Sequence, residues 1–177
     1  MKTLIIYVDS MSDTKFLSKV YKNLASYTLL YNPSKSEVTK HLVNEYKTII
    51  ILGHGDYNGL YNRQHNGYII DSSMVPQLIN KTIIGCWCYA SEFALRYDLH
   101  GFFTSMFISN SKELIECGFT TFLDCDKIIE SENNKFAELL NDLILSGCDM
   151  NKYVSYLQSN CSEYNFSKYN YEALYYH

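Results

Sequence analysis

No segment of this sequence reaches the roughly 18 to 20 consecutive apolar residues that span a bilayer. The opening MKTLIIYVDS is too short in its apolar part for a secretory signal with its cleavage site. A cytoplasmic location with no membrane partner is therefore expected. Basic excess is missing as well. Lys and Arg number 15 against 19 Asp and Glu, for a net charge of −4 and a pI near 5.7, which argues against nucleic acid as a partner. No linker, internal repeat or low-complexity tract divides the chain. Glycine-rich phosphate loops of the Walker or dinucleotide type are absent, as is a Gly-x-Ser-x-Gly elbow, so nucleotide binding and serine-hydrolase chemistry find no scaffold. The Cys-x-x-Cys redox spacing is absent too. Cys86 and Cys88 stand as Cys-x-Cys, poor spacing for a zinc site on an extended strand even with His54 as a third ligand. No metal and no cofactor are expected.

What is present fits a single α/β domain over residues 1–177. The chain is 47% hydrophobic and 19% charged, values of a globular protein with a sizeable core. Six cysteines without a secretion signal are expected to be reduced, with Cys117 and Cys148 as small core residues beside glycine. The 17 tyrosines are spread along the chain and thicken only at YNYEALYYH, where they read as core and surface filler.

Strands are expected at 3–9, 27–32, 48–53, 81–88, 101–109 and 120–124, each an apolar or β-branched run. Helical stripes lie between them. Phe16, Leu17, Val20, Tyr21 and Leu24 follow SMSD. Ser34 and Glu37 have capping-box spacing ahead of Val38, Leu42, Val43 and Tyr46. Short helices are expected near 73–80, 91–99 and from Asn110 to Gly118. A strong amphipathic helix carries Phe136, Leu139, Leu140, Leu143 and Ile144 and ends at Gly147. Asn66-Gly67 marks a small hairpin within 59–71. His100-Gly101 follows a helix end and reads as its cap. Alternating strands and helices imply a three-layer fold, a mostly parallel sheet with helices on both faces, of flavodoxin-like topology.

In such folds ligands bind beyond the carboxyl ends of the strands. Asp9, His54 and Cys88 stand there. The segments KTIIILGHG and KTIIGCWC nearly duplicate each other, and each ends in a side chain fit for catalysis. On neighbouring parallel strands in register, about 5 Å apart, an imidazole and a thiol emerge side by side, the pairing that activates a cysteine nucleophile. Gly53 and Gly55 let the backbone turn and a substrate pack close. The N–H groups of Gly55 and of the nucleophilic cysteine would form an oxyanion hole.

A hydrophobic block ending in His-Gly (IIILGHGD), then a second ending in cysteine (KTIIGCWC) and followed by YASEFA, resembles the caspase-like cysteine peptidases, the group of caspases, metacaspases, clostripain, gingipains, separase and CHAT-type domains. GFFTSMFISN leading into SKELIECG resembles the next strand and helix of the CHAT-type members. The resemblance covers roughly residues 3 to 125. It implies a cysteine endopeptidase acting on a peptide or protein, with His54 as general base and acid. Counting seven positions from Lys81 places the nucleophile at Cys88; Cys86, preceded by Gly85, is the alternative. Residues at the end of the first strand help shape the substrate pocket in this group, so Asp9 would favour lysine or arginine in the substrate. Two features depart from the pattern: Trp87 precedes Cys88 where the group has a small residue, and only 34 residues separate His54 from Cys88. Both fit an alternative, a catalytically silent scaffold for protein binding or regulation. A small-molecule hydrolase or transferase using the same pair is a further one. Nothing in the sequence sets an oligomeric state.

Overall fold

Thr48, Ile49, Ile50 and Ile51 are four consecutive β-branched residues, which crowd a helix but pack well on a pleated surface. They form the central strand β3 (Thr48–Leu52), where Ile49 to Leu52 are buried. Complete burial requires cover on both faces, and the computed structural model, which describes residues 2–9 and 12–177, supplies it. Residues 10 and 11 of the SMSD connection lie outside the described part. The sheet has six strands in the order β2-β1-β3-β7-β8-β9: β1 is Thr3–Tyr7, β2 Tyr27–Tyr31, β7 Thr82–Cys86, β8 Gly101–Thr104 and β9 Leu174–Tyr176. The first five run parallel, and β9 is antiparallel to β8.

Alternation of side chains along the strands separates two cores. On one face Leu4, Ile6, Ile49, Ile51 and Ile83 pack with α1 (Lys35–Leu42), α2 (Val75–Leu78) and α3 (Ala90–Tyr97). On the other, Ile5, Tyr7, Ile50, Leu52, Ile84 and Cys86 pack against a 3-10 segment (Ser12–Tyr21), α5 (Cys125–Ser146), α6 (Tyr153–Ser159) and α7 (Asn165–Glu172). This is the three-layer α/β fold expected. The capping box at α1 is present in full, the Ser34 hydroxyl accepting from the Glu37 N–H and the Glu37 carboxylate accepting from the Ser34 N–H. A three-stranded antiparallel sheet, β4 (Gly55–Asp56), β5 (Gly59–Asn62) and β6 (Gly67–Ile70), is inserted between β3 and β7. Among the described residues no helix is long and apolar enough to cross a membrane.

Three local readings are corrected. Residues 120–124 form no strand; they are a turn entering α5, with Leu123 88% exposed. The sixth strand comes instead from the tyrosine-rich end, where Leu174 to Tyr176 pair with Thr104 to Phe102 and close the far edge of the sheet. Three residues are too few to register as an alternating pattern. The cap after α3 is Asp98, in the left-handed region at φ 54°, while Gly101 already belongs to β8.

α5 is 22 residues long, beginning well before its apolar stripe. Buried asparagines interrupt that stripe: Asn133 donates to the Ile108 carbonyl at 3.3 Å, and Asn141 donates to the Val20 and Lys22 carbonyls at 2.9 and 2.8 Å. Asn141 thereby ties α5 to the end of the 3-10 segment. Asn141→Ala would leave both carbonyls without this donor, at a cost of about 1–3 kcal/mol. Urea denaturation is expected to show a lower midpoint with an unchanged slope.

Candidate active site

The near-repeat in the sequence is a register in the structure. β3 and β7 are adjacent and parallel, pairing Thr48 with Thr82, Ile50 with Ile84 and Leu52 with Cys86. The offset is 86 − 52 = 34, and two residues further along each chain it matches His54 to Cys88. Leu52 and Cys86 point into the core under α5, so period 2 directs His54 and Cys88 toward that same side. Both line one cavity of about 340 Å³, open mouth included, together with Cys86, Phe16, Leu17, Phe107 and others.

The sheet order reverses between β1 and β3, which makes a crevice at their carboxyl ends. The 3-10 segment after β1 delivers Asp13 to that crevice and the end of β3 delivers His54. The two meet at 2.9 Å, Asp13 Oδ1 to His54 Nε2. Because an ionised carboxylate only accepts, Nε2 carries the proton in this pair, leaving Nδ1 as the basic nitrogen of neutral imidazole. The second oxygen of Asp13 accepts from Asn110 Nδ2 at 2.9 Å. Asn110 in turn caps α4 (Ser111–Glu116), accepting from the Glu113 N–H at 2.9 Å. Burial pushes the Asp13 carboxyl up, but the bonds from His54 and Asn110 outweigh it and hold it below the usual aspartate range.

Cys88 lies two residues beyond β7, in the turn into α3, and is followed by Tyr89 in the left-handed region at φ 64°. Its thiol points at the Phe107 carbonyl, 3.8 Å away. Burial above all, then the nearby Glu113 carboxylate, pushes this thiol up to about 12. Cys86 is inside the strand, only 3% exposed, and burial pushes its thiol up as well. The cavity thus holds two protonated thiols and one imidazole, the latter oriented by a carboxylate.

Trp87 accounts for glycines on both sides of it. Its indole lies over Gly55 and Gly85: a Cβ at Gly55 would sit 2.3 Å from Trp87 Cδ1 and 2.3 Å from the Gly59 carbonyl oxygen, and one at Gly85 would sit 2.7 Å from Trp87 Cζ3. The indole N–H donates to the Asp56 carbonyl at 3.1 Å. Trp87 therefore faces the opposite core from its two cysteine neighbours. In β4, the His54 carbonyl accepts from Tyr61 N–H at 2.9 Å, so Gly55, opposite Leu60, is a non-hydrogen-bonded position whose own N–H points away from β5.

Asp9 stands at the end of β1 but does not line the cavity. Its carboxylate accepts from Tyr31 Oη at 3.0 Å and from Thr14 Oγ1 at 3.5 Å. The residues that sequence reasoning passed over are Asp13, Asn110 and Glu113. Asp13 lies 41 residues from His54, and a lone aspartate at the start of a helical stripe reads as a cap. Its position after the first strand of a parallel fold was the available signal.

Gly55→Ala is expected to destabilise by about 1–3 kcal/mol through overpacking. Trp87 is the sole tryptophan, so its emission reports the displaced indole directly. For Asp13, a pKa held low in the folded state means stability that is present above the unfolded value, near 3.9, and lost as pH falls through the folded one. Wild type and Asp13→Asn should differ in melting temperature at pH 5 to 6, and the difference should close as pH drops below that range.

No family model matches the chain, and no curated protein matches it. Among solved structures, the response regulator RcsB of Salmonella typhimurium is similar at 8% identity and a TM-score of 0.36, with 89% of this chain and 90% of that one covered.

Proposed function

We propose that the protein is a cysteine peptidase of caspase-like type in which His54 and Cys88 form the reacting pair. The observation that carries this reading is the in-register pairing of β3 with β7, from which His54 and Cys88 enter the same cavity. His54 Nδ1 takes the Cys88 proton as sulfur attacks the peptide carbonyl carbon. The imidazolium then gives that proton to the leaving amine, and water hydrolyses the thioester by the reverse assignment. Asp13 fixes the ring and balances the imidazolium charge through Nε2, and the N–H groups of Gly55 and Cys88 take the oxyanion. Cys86, buried in the strand, is the second-choice nucleophile.

One observation favours a silent scaffold instead: the Cys88 thiol is pushed up, not down, by its surroundings. The two readings separate in one experiment. A peptidyl chloromethyl ketone should add once, at Cys88, by intact mass and peptide mapping, and His54→Ala should slow the addition about a hundredfold. Equal rates in the two proteins would leave the scaffold reading. Screening simple esters and amides beside peptides distinguishes the small-molecule hydrolase.

A further inference from the structure

We infer that the cavity beside His54 and Cys88 is a pocket for a short aliphatic side chain on the acyl side of the attacked bond, so the substrate class is peptides with an alanine-, valine- or leucine-like residue there. This rests on the reading of His54 and Cys88 as a thiol-hydrolase pair.

The walls decide the chemistry. Phe16 stacks on Phe107 with ring centroids 6.0 Å apart, and Phe107 meets Phe136 at 4.8 Å. These three rings, with Leu17, make a continuous apolar lining from the 3-10 segment, the loop after β8 and α5. Among the described residues, no Asp, Glu, Lys or Arg lines the cavity. The Thr104 hydroxyl donates to the Trp87 carbonyl at 2.9 Å, so its proton is already committed. A lysine, arginine or aspartate side chain seated here would be removed from water with no opposite charge among the described lining residues, the Asp13 and Glu113 carboxylates behind them being already bonded to His54, Asn110 and Ser109, which is unfavourable.

The carboxylate that would have selected a basic residue, Asp9, is held by Tyr31 and Thr14 outside the lining. Asp13 is likewise absent from the lining, occupied by His54 and Asn110. Size sets the second limit. The enclosed free space is only about 30 Å³, the rest of the cleft being open to solvent, so a small aliphatic group fits whereas an indole would have to displace the aromatic walls. Each methylene accommodated in such a pocket is worth roughly tenfold or more in discrimination.

The test uses the intact protein and a series of chloromethyl ketones, acetyl-Ala-Ala-X, with X as Gly, Ala, Val, Leu, Arg and Asp. Alkylation of Cys88 is followed by intact mass and peptide mapping, with iodoacetamide, which has no side chain to place, as the reference. Rates are expected to be at least about tenfold higher for the best of Ala, Val and Leu than for Gly, and about a hundredfold higher than for Arg or Asp. A flat series, or one led by Arg or Asp, while iodoacetamide alkylation still depends on His54, overturns the pocket and leaves the reacting pair standing. Iodoacetamide alkylation at one rate in wild type and His54→Ala removes the pair itself, and the pocket with it.

Discussion

Two parallel strands that begin with the same residues and are buried on both faces can pair productively in only one register. Shifting β7 by one residue against β3 would turn Cys86 and Cys88 toward α3 and send Trp87 under α5. Every contact around the cavity depends on that register. The rings of Phe107 and Phe136 lie on the cysteine side. The space for the indole, over Gly55 and Gly85, lies on the other. The β-branched run of β3 enforces the pairing because its alternate side chains already belong to different cores, so a slip would expose or bury the wrong set along the whole strand.

Trp87, before Cys88, departs from the small residue expected of a caspase-like pattern, and the structure gives that departure a physical account. A large indole before the thiol needs room, and the room is made by the absence of side chains at Gly55 and Gly85. The same glycine that leaves an N–H directed away from the β4–β5 ladder also accepts the face of the ring. The packing under Trp87 is thus a structural demand on Gly55 that stands beside the oxyanion role proposed for it. The short insertion between β3 and β7 is consistent with this packing. β4 returns directly along β5, and the Trp87 N–H is satisfied by the Asp56 carbonyl in that turn.

Much of the fold was legible because period and burial agreed. β1, β3 and β7 are continuous apolar runs, and Ser34 with Glu37 announced α1. Legibility failed where one side chain did two jobs. The stripe of α5 from Phe136 to Ile144 and its end at Gly147 were legible, but its start was not, because Asn133 is buried ahead of that stripe to serve the Ile108 carbonyl. β9 was masked by its length and by tyrosines that suit several environments. At the site, His54 and the two cysteines could be found because each lies at a strand end or within two residues of one, and strand ends are visible in sequence. Asp13 could not, because its role is created by the crossover between β1 and β3, a long-range arrangement that no local pattern encodes.

The chemistry of the thiol follows from the same enclosure that shapes the pocket. With its pKa pushed far up by burial, Cys88 is a neutral thiol at neutral pH. A resting thiolate–imidazolium pair is therefore not the ground state of the free protein. In the proposed reaction the proton would leave as the sulfur–carbon bond forms, which would place the burden on His54 and on whatever stabilises its charge at that moment. Asp13 is suited to this because it is already ionised and already bonded to Nε2, so no reorganisation is needed when the imidazolium appears. The apolar lining that holds the thiol neutral strengthens that carboxylate–imidazolium attraction for the same reason, a low local polarizability. Reactivity would then depend on a substrate seated in the pocket, since only a carbonyl placed beside the sulfur gives the proton transfer a partner reaction.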